Sequence, residues 1–259
     1  MTNPATNSVS LTIRAESNIR FSGADFGGWV QELLASIEFT RVLDLCCGTG
    51  NQLVLYASRP GVEQLIGVDA SASALARAEE RLSELGSATS AVLECVSMDD
   101  AFGCPSIRHA RVDLASCFYG LYYATDPAAV LDAMIDRLDK YGTVLIVGPW
   151  GENNASLFNL LERYFPLPEN VLSSVRTFMN EIVLPTIARR LQLETRCFVN
   201  PVRYPDATAV LDYWRASTFF DPTFEAAVTR DIEAHVTVHG EFVLEKHVMA
   251  AVGRKAATP

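Results

Sequence analysis

The sequence predicts an α/β fold in which helices cover both faces of a doubly wound, mainly parallel sheet. Three observations lead to this prediction. Short apolar runs alternate with stretches of helical periodicity along residues 41–147, which is typical of successive β-α units. The apolar runs are nearly continuous, as expected for parallel strands buried on both faces. A glycine pair follows the first run, and an aspartate ends the second.

The first predicted strand leads directly into a glycine loop. Val42, Leu43 and Leu45 form the apolar run, and Gly48-Thr49-Gly50 turns the chain before a helical pattern over residues 51–58. Two glycines leave the backbone bare, so a ligand can lie against the N–H groups at the start of the helix.

The second predicted strand, residues 65–69, ends on Asp69. Open parallel sheets bind ligands at this end of their strands, and a carboxylate there can accept hydrogen bonds from two adjacent ribose hydroxyls. A dinucleotide loop would have a third glycine where Leu53 stands, and a phosphate loop would continue with Gly-Lys-Ser/Thr. The pattern therefore predicts a nucleoside site that does not require a pyrophosphate cradle.

These two segments resemble the first and second motifs of the class I S-adenosylmethionine-dependent methyltransferases, in particular those with small-molecule acceptors. VLDLCCGTGN is similar to the first motif, with Asp44 as its acidic residue and Gly48 and Gly50 as its last two glycines. Cys46 replaces the first glycine, and the loop can still turn there if its backbone angles are ordinary. The resemblance implies S-adenosyl-L-methionine as cofactor, with Asp69 holding its ribose. It also implies a Rossmann-like sheet of seven strands, the last one antiparallel, with helical lid insertions.

Two further regions of the resemblance supply cofactor contacts. Residues 91–96 are the third predicted strand, and Met98 after it would pack on the adenine while Ser97 or Asp99 bonds its amine; a solvated turn is the alternative. Residues 112–118 are similar to the fourth motif, which ends beside the transferring methyl group. The candidate cofactor-binding residues are Asp44, Cys46, Gly48, Gly50, Asn51, Asp69, Ala70, Ser97, Met98, Asp99 and Cys117.

Aromatic residues supply the candidates for acceptor binding. Rings beyond a strand end can pack internally, stack on a substrate or contact a sulfonium centre. The candidates are Trp29, Tyr119, Tyr123, Trp150, Tyr213 and Trp214. No catalytic residue is assigned, because an amine acceptor needs little base assistance whereas an alcohol usually needs a base. His235 and His239 are the weak candidates for that base, and no metal site is expected.

The chain is predicted to be a single domain over residues 1–259. Residues 1–17 are expected to form a loosely held arm, Gly142 to lie just beyond a helix end, and Asn153 or Asn154 to cap the first inserted helix. The predicted segments are an N-terminal arm and cover helix (1–39), the cofactor-binding core (40–148), a helical insertion (149–191), strand six (192–204), a second insertion (205–240) and the final strand (241–254).

Composition narrows the function further. A formal charge of −10 with only three lysines argues against a nucleic-acid partner. No apolar run approaches the ~20 residues that a membrane span needs. The polar start and six cysteines without metal-type spacing predict a cytoplasmic protein. The expected partner is a small-molecule methyl acceptor, and the oligomeric state is left open.

Three alternative functions fit this sequence less well. A nicotinamide-dependent oxidoreductase shares the coarse fold but would have the third loop glycine. A non-catalytic nucleoside-binding module has no need of the aromatic-rich insertions. A nucleic-acid methyltransferase is disfavoured by the charge and by the lack of an Asn-Pro-Pro-Tyr-like stretch after the fourth strand.

Overall fold

A computed structural model describes residues 8–86 and 88–255, apart from the side chains of Ser8 and Leu11. Its seven strands form one sheet in the order β3-β2-β1-β4-β5-β7-β6, in which β7 runs antiparallel to its neighbours. The predicted fold class is confirmed. The strands are β1 (Arg41–Leu45), β2 (Gln64–Asp69), β3 (Ser90–Cys95), β4 (Val112–Phe118), β5 (Leu138–Pro149), β6 (Gln192–Tyr204) and β7 (Phe242–Arg254).

Helices occupy the connections between these strands. Three short 3₁₀ turns lie at Ala101–Gly103, Leu121–Tyr123 and Pro222–Phe224, and a π-helical turn lies at Phe178–Val183. The α-helices are α1 (Ser8–Arg20), α2 (Phe26–Ala35), α3 (Asn51–Ala57), α4 (Ala72–Leu85), α5 (Pro105–Arg108), α6 (Pro127–Arg137), α7 (Ala155–Leu161), α8 (Glu169–Arg176), α9 (Leu184–Ala188), α10 (Ala207–Arg215) and α11 (Glu225–His239). No helix in the described residues has the length and apolarity needed to cross a bilayer.

The chain divides into two compact units. Of the described residues, the core unit contains Glu32–Gly148, Phe178–Arg196 and 249–255. The accessory unit contains 8–31, Pro149–Thr177 and Cys197–Val248. The assignment of all 259 residues to a single domain remains a prediction.

In the core unit, parallel pairing brings the carboxyl ends of β1, β2 and β4 to one edge of the sheet. Leu45 lies opposite Val68 on one side and Cys117 on the other. The apolar side chains of β1 are fully buried, as the sequence pattern predicts. The loops after these strands are therefore neighbours, and they contain Cys46, Gly48, Gly50 and Ala70 of the predicted cofactor residues.

The helix after β2 begins and ends at the residues that the sequence indicates. The Ser71 hydroxyl accepts a hydrogen bond from the backbone N–H of Ala74, which caps α4. Gly86 ends the helix with a φ of 61°, a conformation that costs glycine little. Both predictions are confirmed.

Three local expectations need correction. Residues 8–17 belong to α1, so this part of the expected arm is helical, and residues 1–7 lie outside the described residues. Helix α6 ends at Arg137, five residues before Gly142, because β5 begins early and pairs irregularly with β4 between Val112 and Leu114. Asn154 occupies the N-cap position of α7 as predicted, but its side chain accepts no backbone hydrogen bond there.

The accessory unit has its own apolar core. Side chains from α7, α10 and α11 pack with parts of β6 and β7 around the fully buried Trp214. The backbone N–H groups of Trp150 and Asn154 donate to the carbonyls of His247 and Glu245, which holds the start of this unit's first inserted segment beside β7.

Candidate functional site

The loop after β1 is held in a left-handed backbone conformation at three positions. Cys46, Gly48 and Gly50 have φ values of 57°, 54° and 80°. Glycine adopts this region without cost, whereas a residue with a Cβ does so at some strain. The condition of ordinary angles at Cys46 is therefore not met, and this cysteine adopts a backbone conformation that favours glycine.

Asp69 ends β2 beside this loop. Its Oδ2 accepts a hydrogen bond from the Gly48 N–H at 2.8 Å, and its Oδ1 accepts one from the Ser71 N–H at 2.9 Å. The side chain is half-buried, and each oxygen keeps a second lone pair for a ligand. One carboxylate therefore fixes the glycine loop and presents its remaining acceptor sites at the strand end.

Asp44 lies beneath the loop and is only 1% exposed. Its Oδ1 accepts a 2.6 Å hydrogen bond from the Ser116 hydroxyl, which in turn accepts one of 3.0 Å from the Tyr56 hydroxyl. Burial raises the pKa of Asp44 to about 7, the charge of Asp69 adds to that rise, and the Ser116 hydrogen bond opposes it. A positive charge placed near the loop would favour the ionised carboxylate.

Helix α4 fixes the far side of the loop. The Arg81 guanidinium donates to the Thr49 carbonyl at 2.9 Å and to Oδ1 of Asn51 at 2.6 Å. A Cβ on Gly50 would lie 2.8 Å from the Cβ of Ala78, so this close approach requires glycine. The predicted residues Gly50 and Asn51 are thus held before any ligand arrives.

The turn after β3 contains the residues predicted to face the adenine. Both oxygens of Asp99 accept hydrogen bonds from Thr125, one from its backbone N–H at 3.0 Å and one from its hydroxyl at 3.2 Å. Ser97 donates to Asp100 at 2.7 Å, while Met98 is half-buried and Ala70 is exposed. The turn is consequently tied to the loop after β4, and Met98 is the member of the set that offers an apolar surface.

The end of β4 meets the first-glycine position of the loop. Cys117 is 1% exposed, and a Cβ on Gly120 would lie 2.3 Å from the Cβ of Cys46. The space at Gly120 is thus filled by Cys46. Tyr119, between them in sequence, has a φ of 54° and an exposed side chain. Two residues other than glycine therefore hold left-handed angles at this edge, as is common at functional sites.

The central segment of the chain matches a known family. Residues 42–142 match the family described as "Methyltransferase domain". These residues form a methyltransferase domain. The match confirms the prediction made from the two motifs, together with S-adenosylmethionine as the cofactor. It decides against the nicotinamide-dependent oxidoreductase.

Other proteins are similar to this chain in sequence or in fold. A trans-aconitate 2-methyltransferase of Variovorax paradoxus is 39% identical over 87 residues, which cover 32% of this chain and 32% of that protein. The matches span less than half the length of the curated relatives. The crystal structure of a Bacillus halodurans protein superposes with a TM-score of 0.60 at 16% identity, covering 91% of this chain and 100% of that one, which shows a shared fold. The plantazolicin methyltransferase in complex with SAH gives 0.52 at 14% identity, covering 97% and 95%.

The predicted acceptor residues lie in both units. In the core unit, Tyr119 and Tyr123 are exposed just after β4. In the accessory unit, Trp29 stacks on Phe198 with ring centroids 5.2 Å apart. Trp150 is half-buried, and its indole N–H has no hydrogen-bond partner among the described residues.

Tyr213 and Trp214 are the remaining acceptor candidates. Trp214 is fully buried, and its indole N–H donates to the Phe219 carbonyl, so its contacts are those of a packing residue. Tyr213 is buried, and its hydroxyl accepts a 2.6 Å hydrogen bond from Lys246, a residue missing from the predictions. Lys246 also donates to Oδ1 of Asn154 at 2.6 Å.

Lys246 is a buried cation whose two hydrogen-bond partners are neutral in their ordinary forms. It is 8% exposed, and no carboxylate in the described part of the chain forms an ion pair with it. Burial lowers the pKa of Lys246. Burial alone would raise the pKa of Tyr213, but the nearby Lys246 ammonium lowers the pKa of this tyrosine below its ordinary value. Tyr213 and Lys246 are 33 residues apart in the sequence, so a local sequence pattern does not reveal their contact.

The two candidate bases form a pair on α11. Their rings lie 4.4 Å apart between centroids, and both line a cavity of about 560 Å³ in the accessory unit together with Arg163 and Glu241. Burial, and secondarily the neighbouring His239, lower the pKa of His235. A lowered pKa keeps His235 neutral near pH 7 and hence able to accept a proton.

Ser116, Arg81 and Gly120 were also missed by the sequence analysis. Ser116 lies within the predicted fourth strand, and only the pairing register brings it opposite Asp44. Arg81 is one of several charged residues on α4 and has no distinguishing neighbour in sequence. Gly120 had a signal, since a glycine just beyond a strand often marks a close approach.

Proposed function

We propose that this protein transfers a methyl group from S-adenosylmethionine to a small organic acceptor molecule. The observation that carries the proposal is the Asp69 carboxylate, which is half-buried at the end of β2 and bonded to the glycine loop through the Gly48 N–H. A carboxylate at this point can take both ribose hydroxyls of a nucleoside cofactor while it holds the loop closed against the ligand.

The remaining cofactor residues take roles that follow from their chemistry. Met98 packs on the adenine ring, and Ser97 or a free lone pair of Asp99 accepts its amine. The loop from Cys46 to Gly50 lies against the amino-acid part of the cofactor, above the buried carboxylate of Asp44. Cys117 and Ala70 line the ends of β4 and β2. This assignment is supported by the shared sheet edge at which these residues lie.

Methyl transfer from a sulfonium is an in-line displacement, so the chain must align the acceptor with the methyl and exclude water. Alignment alone can contribute ~7 to 11 kcal/mol to lowering the barrier. The exposed rings of Tyr119 and Tyr123 in the core unit offer faces to a cationic centre. Trp29 and Trp150, in the accessory unit, stay predicted acceptor residues. The chemistry therefore rests on placement, with His235 and His239 held as the candidate bases for a hydroxyl acceptor.

The net charge of the chain and its similarity to a curated enzyme favour a small molecule over a macromolecule as the methyl acceptor. The net charge of −10 opposes nucleic-acid binding, and the curated relative at 39% identity carries the name of an enzyme for a small organic acid. A cytoplasmic location belongs to the same proposal, because six cysteines without a pairing pattern fit a reducing compartment.

The experiment uses S-adenosylmethionine carrying a labelled methyl group. The protein is incubated with it and with a cell extract separated into low-mass, protein and nucleic-acid fractions. Label should enter the low-mass fraction with the parent protein and with Glu80→Ala, an exposed charge change on α4. At a limiting concentration of S-adenosylmethionine it should enter at least about tenfold more slowly with Asp69→Ala. Label confined to the protein or nucleic-acid fractions would rule out a small-molecule acceptor.

A further inference from the structure

Two cysteines of the core unit meet at the candidate cofactor loop. Cys46 directly follows Leu45, which pairs with Cys117 on the neighbouring strand. Adjacent strands lie about 4.8 Å apart, so Cys46 stands one residue beyond the direct cross-strand neighbour of Cys117. A Cβ placed on Gly120 would lie 2.5 Å from the Cys46 sulfur and 3.3 Å from the Cys117 sulfur. Both sulfurs therefore border the same small space.

The two thiols differ in their access to solvent. Cys46 is half-buried at the loop, whereas Cys117 is 1% exposed. A hydrogen bond to Cys46, followed by burial, raises the pKa of Cys117 well above its ordinary value, so Cys117 keeps its proton and can donate it toward the Cys46 sulfur. A solvent-borne oxidant consequently meets Cys46 first.

Cys47 is placed differently despite its position in sequence. Its sulfur lies 3.1 Å from where a Cβ on Gly67 would stand, so it packs toward β2. Burial raises its pKa beyond the range in which a thiolate forms. The neighbour of Cys46 in space is thus Cys117 on β4, and the neighbour of Cys47 is β2.

We propose that Cys46 and Cys117 are a peroxide-sensitive dithiol whose disulfide blocks the candidate cofactor site, an inference that rests on the proposed function. The Cys46 thiolate attacks one oxygen of hydrogen peroxide; the O–O bond breaks, Cys46 becomes a sulfenic acid, and the departing hydroxide leaves as water with the thiol proton. The Cys117 sulfur then attacks the Cys46 sulfur. The S–S bond forms, the S–O bond breaks, and the Cys117 proton leaves with the hydroxide as a second water.

The disulfide changes the loop because an S–S bond allows only a small range of distances and dihedral angles. An S–S bond of about 2.05 Å replaces a non-bonded contact and draws Cys46 toward β4. Cys46 stands two residues before Gly48, whose N–H bonds Asp69. Oxidation therefore displaces the loop from that carboxylate, and S-adenosylhomocysteine should bind at least about tenfold more weakly.

The test maps the thiols and measures binding on the same full-length protein. Reduced protein is treated with hydrogen peroxide, the remaining thiols are alkylated with N-ethylmaleimide, and digested peptides are identified by mass spectrometry. We expect a cross-link between the peptides of Cys46 and Cys117. It should be absent in Cys117→Ser and retained in Cys197→Ser, which removes an exposed thiol of the accessory unit. Dithiothreitol should restore both free thiols and S-adenosylhomocysteine affinity.

Three results would overturn the proposal. They are a link from Cys46 to Cys47, recovery of alkylated Cys117 after peroxide treatment, and a mapped Cys46–Cys117 link with unchanged S-adenosylhomocysteine affinity. The peptide map of the unsubstituted protein decides the pairing even where Cys117→Ser does not fold. Reduced protein that fails to bind S-adenosylhomocysteine would contradict the proposed function. The peptide map would still show whether peroxide links Cys46 to Cys117.

Discussion

Replacing Asp44 with asparagine should change how the stability of the free protein depends on pH. Burial raises the pKa of this carboxyl from 3.8 to about 7 in the folded protein. In the unfolded chain the proton leaves near the ordinary pKa, whereas the folded protein keeps it until the pH approaches 7. Between these two values rising pH favours unfolding, because only the unfolded state has released the proton.

The size of the effect follows from the width of this window. Each pH unit inside it costs about 1.4 kcal/mol of unfolding free energy, so raising the pH from 5 to 7 costs the parent about 3 kcal/mol through Asp44. Outside the window this group contributes no further change. Asparagine keeps an oxygen that can accept the Ser116 hydrogen bond but has no proton to lose. The variant should therefore lack this component of the pH dependence.

The assay is urea unfolding followed by circular dichroism at about pH 5 and about pH 8, with matched salt. The unfolding free energy of Asp44→Asn should rise relative to the parent by about 3 kcal/mol between the two conditions. Glu80→Gln, at an exposed carboxylate, should parallel the parent and so reports the contribution of surface charge. A constant difference between parent and Asp44→Asn at both pH values would refute the buried, proton-holding role of Asp44.

Three further predictions concern the loop, a helix cap and the candidate bases. Gly120→Ala should cost about 1 to 3 kcal/mol of unfolding free energy in urea, because its Cβ would lie 2.3 Å from that of Cys46; parent-like stability would contradict the close approach. Ser71→Ala should cost about 1 kcal/mol by the same measurement, through the lost cap of α4, and an unchanged midpoint would remove that role. His235→Gln and His239→Gln should each retain turnover within about tenfold at saturating cofactor, whereas a loss of ~10²-fold that recovers at higher pH would identify a general base.

The backbone of the site could be predicted because its signals are local. A buried strand, two glycines and a strand-terminal aspartate are adjacent in sequence, and each has one physical explanation. The same holds for α4, where Ser71 caps the N-terminus with its side chain and Gly86 ends the helix in a left-handed backbone conformation. The seven-stranded order came from the family resemblance and not from local patterns.

The missed features depend on contacts between distant residues. Ser116 meets Asp44 across 72 positions, and Lys246 meets Asn154 across 92, through strand register and packing that no window of sequence contains. The left-handed angle of Cys46 was missed for another reason, since a residue type other than glycine gives no sign that its φ is positive. Helix α1 begins within a polar stretch whose composition looked like a loose arm.

A calorimetric titration with S-adenosylhomocysteine tests the central claim most directly, with NAD as the competing ligand. The parent should bind S-adenosylhomocysteine and not NAD, and Glu80→Ala should bind it equally well. Asp69→Ala, shown by circular dichroism to be folded, should bind it at least about tenfold more weakly, because charge-assisted hydrogen bonds worth ~1.5 to 3 kcal/mol are lost. Unchanged affinity in folded Asp69→Ala, or a parent that binds NAD instead, would contradict the cofactor site described for this chain.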